Sequence, residues 1–164
     1  MNDSQKKKLE NIKLFLFDVD GILTDGKISW DSKLEEFIRT FHIRDGYGIR
    51  LLLEQGYKVG VISGGKSFNV KKRVEYLGMD YCYLGHFDKT IPFKECLEKS
   101  GYTADQALYM GDDLFDIPVL DLVGFSATVP DAPQKVLDSA DYITEKTGGN
   151  GAVREVIDWF LSTQ

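Results

Sequence analysis

Short runs of consecutive apolar residues alternate along the chain with segments in which apolar positions recur every three or four residues, and these two periods predict strands and helices respectively. The strand-like runs lie at 12–17, 59–62, 81–84, 107–110 and 125–129. Near-continuous apolar character of this kind is what a parallel sheet covered on both faces requires. Helical spacing predicts helices over 46–54, 67–77, 90–99, 114–122, 133–137 and 152–161, with glycines at 56, 78, 101 and 124 placed where left-handed residues close helices. The last of these should pack Val153, Val156, Ile157 and Phe160 as one stripe. Strands that each hand over to a helix predict an α/β fold, a three-layer, Rossmann-like, doubly wound parallel sheet. The 164 residues show no repeat or linker, so a single domain over 1–164 is expected.

One interval breaks the alternation. Between Thr24 and Ile43 the chain carries Ile28-Ser29-Trp30, a polar turn at 31–33, and then Phe37, Arg39 and Phe41 alternating with Ile38, Thr40 and His42. That pattern predicts a β-hairpin projecting from the main sheet. Both of its faces carry more apolar bulk than a free hairpin can bury, so a second surface should cover it.

Composition narrows the function classes. Twenty Lys and Arg against 26 Asp and Glu leave a net charge of −6, the wrong sign for a surface that tracks nucleic acid. No apolar stretch is long enough for a membrane span and the N-terminus lacks a hydrophobic signal region, so a cytoplasmic protein is expected. Lys6-Lys7-Lys8 reads as a solvated lead-in rather than a docking patch for anions. Cys82 and Cys96 match no metal-site or redox spacing and are expected to be reduced core residues.

The chemistry concentrates at strand ends. Leu14-Phe15-Leu16-Phe17-Asp18-Val19-Asp20-Gly21 is an apolar run ending in two carboxylates two residues apart, which share a face if the strand geometry persists. Asp-x-Asp-Gly alone is also an ordinary turn, and it fails as an EF-hand because Ser29 stands where a bidentate Glu is required. A second run ends in Met110-Gly111-Asp112-Asp113-Leu114-Phe115-Asp116. Parallel strands bring both clusters to one sheet edge, where five crowded carboxylates raise one another's pKa unless a hard cation sits among them. All-oxygen donors point to Mg²⁺. Two further strand ends could serve an anion: Ser63-Gly64-Gly65 before a helix, a cradle of hydroxyl and N–H donors, and Lys89 beyond 81–84, a point cation.

In that order, Asp-x-Asp-Gly, strand-Ser-Gly, Lys and Gly-Asp-Asp-x-x-Asp resemble the haloacid dehalogenase-like superfamily of phosphatases. The resemblance implies that Asp18 is the nucleophile and Asp20 the general acid and base, that Ser63 and the Gly64 N–H hold phosphoryl oxygens, and that Lys89 pairs with nucleophile and phosphate. It further implies that Asp18, Asp112 and the Asp20 carbonyl oxygen bind Mg²⁺, with Asp113 and Asp116 in support.

Members of the superfamily commonly carry a cap domain, but only 42 residues separate Asp20 from Ser63 and 25 separate Ser63 from Lys89, so no cap fits. Phe41-His42-Ile43-Arg44-Asp45-Gly46-Tyr47-Gly48-Ile49 and Gly148-Gly149-Asn150-Gly151 are similar to segments of the capless 3-deoxy-D-manno-octulosonate 8-phosphate phosphatases. What that implies is a homotetramer whose hairpins form a central barrel, a phosphorylated 2-keto sugar acid as substrate, and Asp45, Gly148, Gly149 and Gly151 at the substrate, with Arg73 reaching a neighbour's site to meet the carboxylate. Three glycines in four positions also suit a close backbone approach. Gly65 departs from the Arg often found there in the octulosonate enzymes and the Glu that relatives acting on nine-carbon acids can have. A phosphatase for nine-carbon 2-keto acid 9-phosphates, and a noncatalytic oligomerisation module, stay open as alternatives.

Overall fold

The computed structural model describes residues 7–163. Six parallel strands form the central sheet: β1 (Leu14–Phe17), β4 (Lys58–Ser63), β5 (Tyr81–Leu84), β6 (Ala107–Met110), β7 (Phe125–Thr128) and β8 (Tyr142–Ile143), in the order β5-β4-β1-β6-β7-β8. β1 is buried at every residue because strands flank it on both sides and helices cover both its faces. From β1 the chain moves outward through β4 to β5, then returns to β1's other side with β6 and continues to β7 and β8. The strand order therefore reverses between β1 and β6, and in such sheets the crevice beyond the strand ends at that point is where ligands bind.

The helices are α1 (Ile43–Glu54), α2 (Phe68–Leu77), α3 (Thr90–Ser100), the single turn α4 (Ile117–Leu120), α5 (Gln134–Ser139) and α6 (Ala152–Leu161). α1 packs along α6 and touches α2, while α3, α4 and α5 pack in sequence with one another. The α6 stripe is as expected, with Val153, Val156, Ile157 and Phe160 fully buried. Phe160 meets Phe15 of β1 edge to face, ring centroids 4.9 Å apart. The expected hairpin is β2 (Ser29–Asp31) against β3 (Glu36–Ile38), antiparallel, with Trp30 opposite Phe37. Asp31 closes its turn by accepting from the Lys33 and Leu34 N–H groups. Ile28, Trp30, Leu34 and Phe37 all stand exposed on it. Among the described residues no cap domain is present and no helix is long and apolar enough to cross a membrane.

Several expectations are corrected. The run at 81–84 is not a buried strand: β5 is a sheet edge with one neighbour, so Cys82 faces outward and only Cys96 is a core residue. The helix expected over 114–122 breaks into a 3₁₀ turn at Leu114–Asp116 and α4, since Pro118 cannot donate to a continuing ladder and sits in the first turn of the new helix. Gly56, Gly78 and Gly101 have positive φ after their helices, but Gly124 does not. It is glycine because a Cβ there would stand 2.0 Å from the Asp105 carbonyl oxygen. β8 lacks any apolar run to announce it, being two residues that complete β7's edge. Lys6 lies outside the described residues, while Lys8 pairs with Asp141 at 2.5 Å.

Candidate active site

β1 and β6 run in register, Phe17 beside Met110, and the Asp18 N–H continues the ladder by donating to the Met110 carbonyl at 2.8 Å. The next residues of both strands thus emerge together at the switch point. One oxygen each of Asp18, Asp112 and Asp116 lie within 4.8 Å of one another. Gly21 makes this possible: its φ is +92°, and a Cβ there would stand 2.0 Å from Asp112 Oδ2.

Lys89 ties the cluster together. Only 1% exposed, its Nζ lies 2.8 Å from Asp18 Oδ1 and 2.6 Å from Asp116 Oδ1, under the Phe115 ring at 4.6 Å. Asp116 is the hub. Its Oδ1 accepts from Lys89 and from the Tyr109 hydroxyl at 2.6 Å, and its Oδ2 accepts from the Asp112 and Asp113 N–H groups, both at 3.0 Å. Four donors satisfy the buried carboxylate, and in return they fix the lysine and the turn that carries Asp112. Asp113 caps the 3₁₀ turn through the Leu114 N–H.

The remaining negative charge is uncompensated. Burial and then the Asp116 charge push Asp18 well above the usual carboxylate range, with Lys89 opposing. The same two causes push Asp112 up to about 7. Asp112 Oδ1 is buried without a hydrogen-bond partner among the described residues. An orphaned carboxylate oxygen beside a second raised carboxylate is what a hard divalent cation would relieve, so Asp18 and Asp112 fit Mg²⁺, while Asp116 is already committed to its donors.

Ser63 and Asp20 approach each other at Gly65. Ser63 is buried and its Oγ accepts from the Gly65 N–H at 3.2 Å, so the Ser-Gly-Gly turn curls around the hydroxyl. A Cβ on Gly65 would be 3.7 Å from that oxygen and 3.4 Å from Asp20 Oδ2, which puts the two catalytic candidates in one place. Gly64 backs onto the Phe87 ring at 3.5 Å from its Cβ position.

A family model described as haloacid dehalogenase-like hydrolase matches residues 83–157. The 3-deoxy-D-manno-octulosonate 8-phosphate phosphatase of Escherichia coli is 44% identical over 157 residues, 96% of this chain and 83% of that protein. The chain belongs to that family of phosphatases. Its Haemophilus influenzae counterpart is 40% identical over 97% of this chain and 88% of that one. The crystal structure of the Moraxella catarrhalis enzyme, in complex with magnesium ion, phosphate ion and the octulosonate, superposes with a TM-score of 0.95 at 36% identity, covering 100% of this chain and 94% of that chain. The cobalt-bound Haemophilus influenzae enzyme gives 0.91 at 40% identity, covering 96% and 91%.

The other residues expected at the substrate make contacts of their own in the fold. Asp45 is buried in α1 and accepts from the Arg154 N–H at 2.8 Å, capping α6 across the fold. Its other oxygen is unpartnered, 3.7 Å from His42 Nδ1, and burial raises its pKa. Asp45 and the half-buried Arg73 line one narrow cavity whose walls include none of Asp18, Asp20, Asp112, Asp113 and Asp116, of which only Asp18, Asp112 and Asp116 cluster. Arg73 lies over the Phe41 and Tyr76 rings at 5.7 and 5.9 Å, and burial lowers its pKa. The glycine-rich segment approaches the backbone that follows Asp20: the Gly149 N–H donates to the Ile22 carbonyl at 3.0 Å, and a Cβ on Gly148 would fall 1.7 Å from the Gly21 carbonyl oxygen. Gly151, at φ +103°, turns the chain into α6. Sequence reasoning missed Tyr109, hidden in an apolar strand, and Arg39, read only as a hairpin position. A tyrosine in a fully buried strand is a usable signal, because its hydroxyl needs a partner.

Proposed function

We propose that this chain is a Mg²⁺-dependent phosphomonoester hydrolase that converts 3-deoxy-D-manno-octulosonate 8-phosphate to the free sugar acid and phosphate. The observation that carries the reading is the buried Asp18–Lys89–Asp116 chain beside the orphaned Asp112 oxygen, an arrangement with no structural use for its uncompensated charge. The names of the relatives supply the substrate.

Lys89 holds Asp18 by one oxygen and leaves the other to attack phosphorus. That attack forms an O–P bond and breaks the bond to the sugar oxygen, which leaves with a proton from Asp20. Asp20 then takes a proton from the water whose oxygen attacks the aspartyl-phosphate, and phosphate leaves with Asp18 restored. Ser63 and the Gly64 N–H would hold the phosphoryl oxygens, as preorganised donors. Mg²⁺, held by Asp18, Asp112 and the Asp20 carbonyl oxygen, would supply charge neutralisation when bound. The exposed apolar hairpin, with no cap domain among the described residues, supports assembly as a homotetramer in which neighbours cover each crevice.

The test is a steady-state comparison of eight- and nine-carbon 2-keto acid phosphates in wild type and Asp18→Asn. The eight-carbon substrate should show the higher kcat/KM, and the variant should fold but turn over at most about a thousandth as fast, since an amide is no nucleophile. A preference for nine carbons reassigns the substrate. Near-wild-type hydrolysis by the variant, or no hydrolysis by wild type, refutes the reading.

A further inference from the structure

The Arg39 guanidinium, at the base of the hairpin, forks onto both oxygens of Asp20: Nε donates to Oδ1 at 2.5 Å and Nη2 to Oδ2 at 2.9 Å. Nη1 donates to the Phe37 carbonyl at 3.0 Å, so the guanidinium is held at each of its three nitrogens. Its side chain is 8% exposed, while that of Asp20 is 34% exposed. A planar fork of this kind fixes the rotation of a carboxylate as well as its place. Asp20 otherwise has no side-chain hydrogen bond among the described residues.

The hairpin that supplies the arginine is itself fastened to the second catalytic turn. Glu36 of β3 accepts from the Ser67 hydroxyl at 2.6 Å and the Asn69 N–H at 3.0 Å, capping the start of α2 just beyond Ser63-Gly64-Gly65. Asn69 returns the contact by accepting from the Arg39 N–H at 3.2 Å. A Cβ at position 65 would come 3.1 Å from Arg39 Nη2 and 3.4 Å from Asp20 Oδ2. Gly65 has no positive φ, so its backbone does not demand glycine. The space is tight, and a side chain larger than alanine there would contend with the arginine for its seat.

We propose that Arg39 is a positioning residue for Asp20, and that Gly65 is the matching vacancy that lets a hairpin arginine reach the acid. Through it the docked hairpin sets the orientation from which Asp20 passes its proton. This rests on the function proposed above, because positioning matters only if Asp20 serves as acid and base.

Leaving-group dependence separates this from a merely structural role. A sugar phosphate needs a proton on its departing oxygen, whereas p-nitrophenolate departs as its anion. Arg39→Gln should lower kcat on the sugar-acid phosphate about ten- to a hundred-fold with little change in KM, a fraction of what a positioned acid supplies. Single-turnover release of p-nitrophenolate from p-nitrophenyl phosphate should fall at least about tenfold less. Arg39→Lys, which keeps one donor but no fork, should recover part of the kcat loss. Gly65→Val should reproduce the same split by displacing the arginine, and the double variant should be no worse than the poorer single one. Equal losses on both substrates, or additive losses in the double variant, overturn the proposal while leaving the phosphatase reading intact. A wild-type enzyme inert toward both phosphates overturns both.

Discussion

Replacing Asp112 by asparagine is expected to stabilise the metal-free protein at pH 8 while removing its response to Mg²⁺. Burial, followed by the Asp116 charge, pushes the Asp112 carboxyl up to about 7 from an ordinary 3.8. The folded pKa lies above the unfolded one, so the folded state keeps a proton that the unfolded chain has already released. Stability therefore falls as pH rises from about 4 to about 7 and stays lower above that. A gap of about 3 units, at ~1.36 kcal/mol each, makes the ionised Asp112 cost about 4 kcal/mol at pH 8. Because Asp18 titrates against the same neighbours, part of that cost belongs to the pair, and a gain of roughly 2 to 4 kcal/mol is expected from the variant. For a domain of this size that raises Tm by roughly 5 to 15 °C. The assay is thermal unfolding in excess chelator at pH 5 and pH 8. At pH 5 the folded carboxyl is still protonated while the unfolded one has ionised, so only about a third of the gap has been crossed and the variant's advantage should shrink to about a third of its pH 8 value. Mg²⁺ at pH 8 should raise the wild-type Tm, since it binds the folded, ionised form, and leave the variant unmoved. A variant no more stable than wild type at pH 8, or equally more stable at both pH values, refutes the reasoning.

Lys89→Ala should cost about 3 to 5 kcal/mol, because it leaves Asp18 and Asp116 buried without their shared cation, and it should also abolish turnover; denaturant unfolding checks the first and a phosphate-release assay the second. If the proposed tetramer forms through the hairpin, wild type should scatter light as a tetramer and Trp30→Asp with Phe37→Asp, which places like charges opposite one another, as a monomer with loss of sugar-phosphate turnover; a monomeric wild type refutes the assembly and a tetrameric variant puts the interface elsewhere. Arg73→Ala should lower kcat/KM for the keto-acid phosphate about ten- to a hundred-fold, with p-nitrophenyl phosphate far less affected, if its guanidinium meets the substrate carboxylate. Equal losses would instead reflect its packing between Phe41 and Tyr76.

What the sequence disclosed is what a single strand can carry. Asp18 and Asp112 each follow an apolar run, and parallel strands have no other way to present the following residue than at the same sheet edge. The order of motifs along the chain is not their order along the crevice, because the strands that carry them stand as β5-β4-β1-β6. β5 defeated the same logic, because an apolar run does not say how many neighbours a strand will have, and Cys82 was misplaced with it. Asp116 was legible as an acid but not as a hub, since its four donors come from Lys89, from Tyr109 and from the turn before it, and only the turn is local.

The parts that stayed hidden are contacts between segments distant in the chain, and they share one physical feature. At each of them a glycine clears the volume for a group from elsewhere: Gly21 for the Asp112 carboxylate, Gly65 for the Arg39 fork, Gly148 for the backbone after Asp20. A glycine in the sequence states that something is absent, without saying what takes the space, and the placing of the glycine-rich stretch at 148–151 at the substrate comes from the family resemblance. In the fold that stretch packs on the Gly21 and Ile22 backbone, while Arg39 grips Asp20. The acid thus sits on a loop held by residues far from it in the chain, 19 positions away for Arg39. Strand ends set which groups share the crevice; contacts from distant segments set how the loop that carries Asp20 is held.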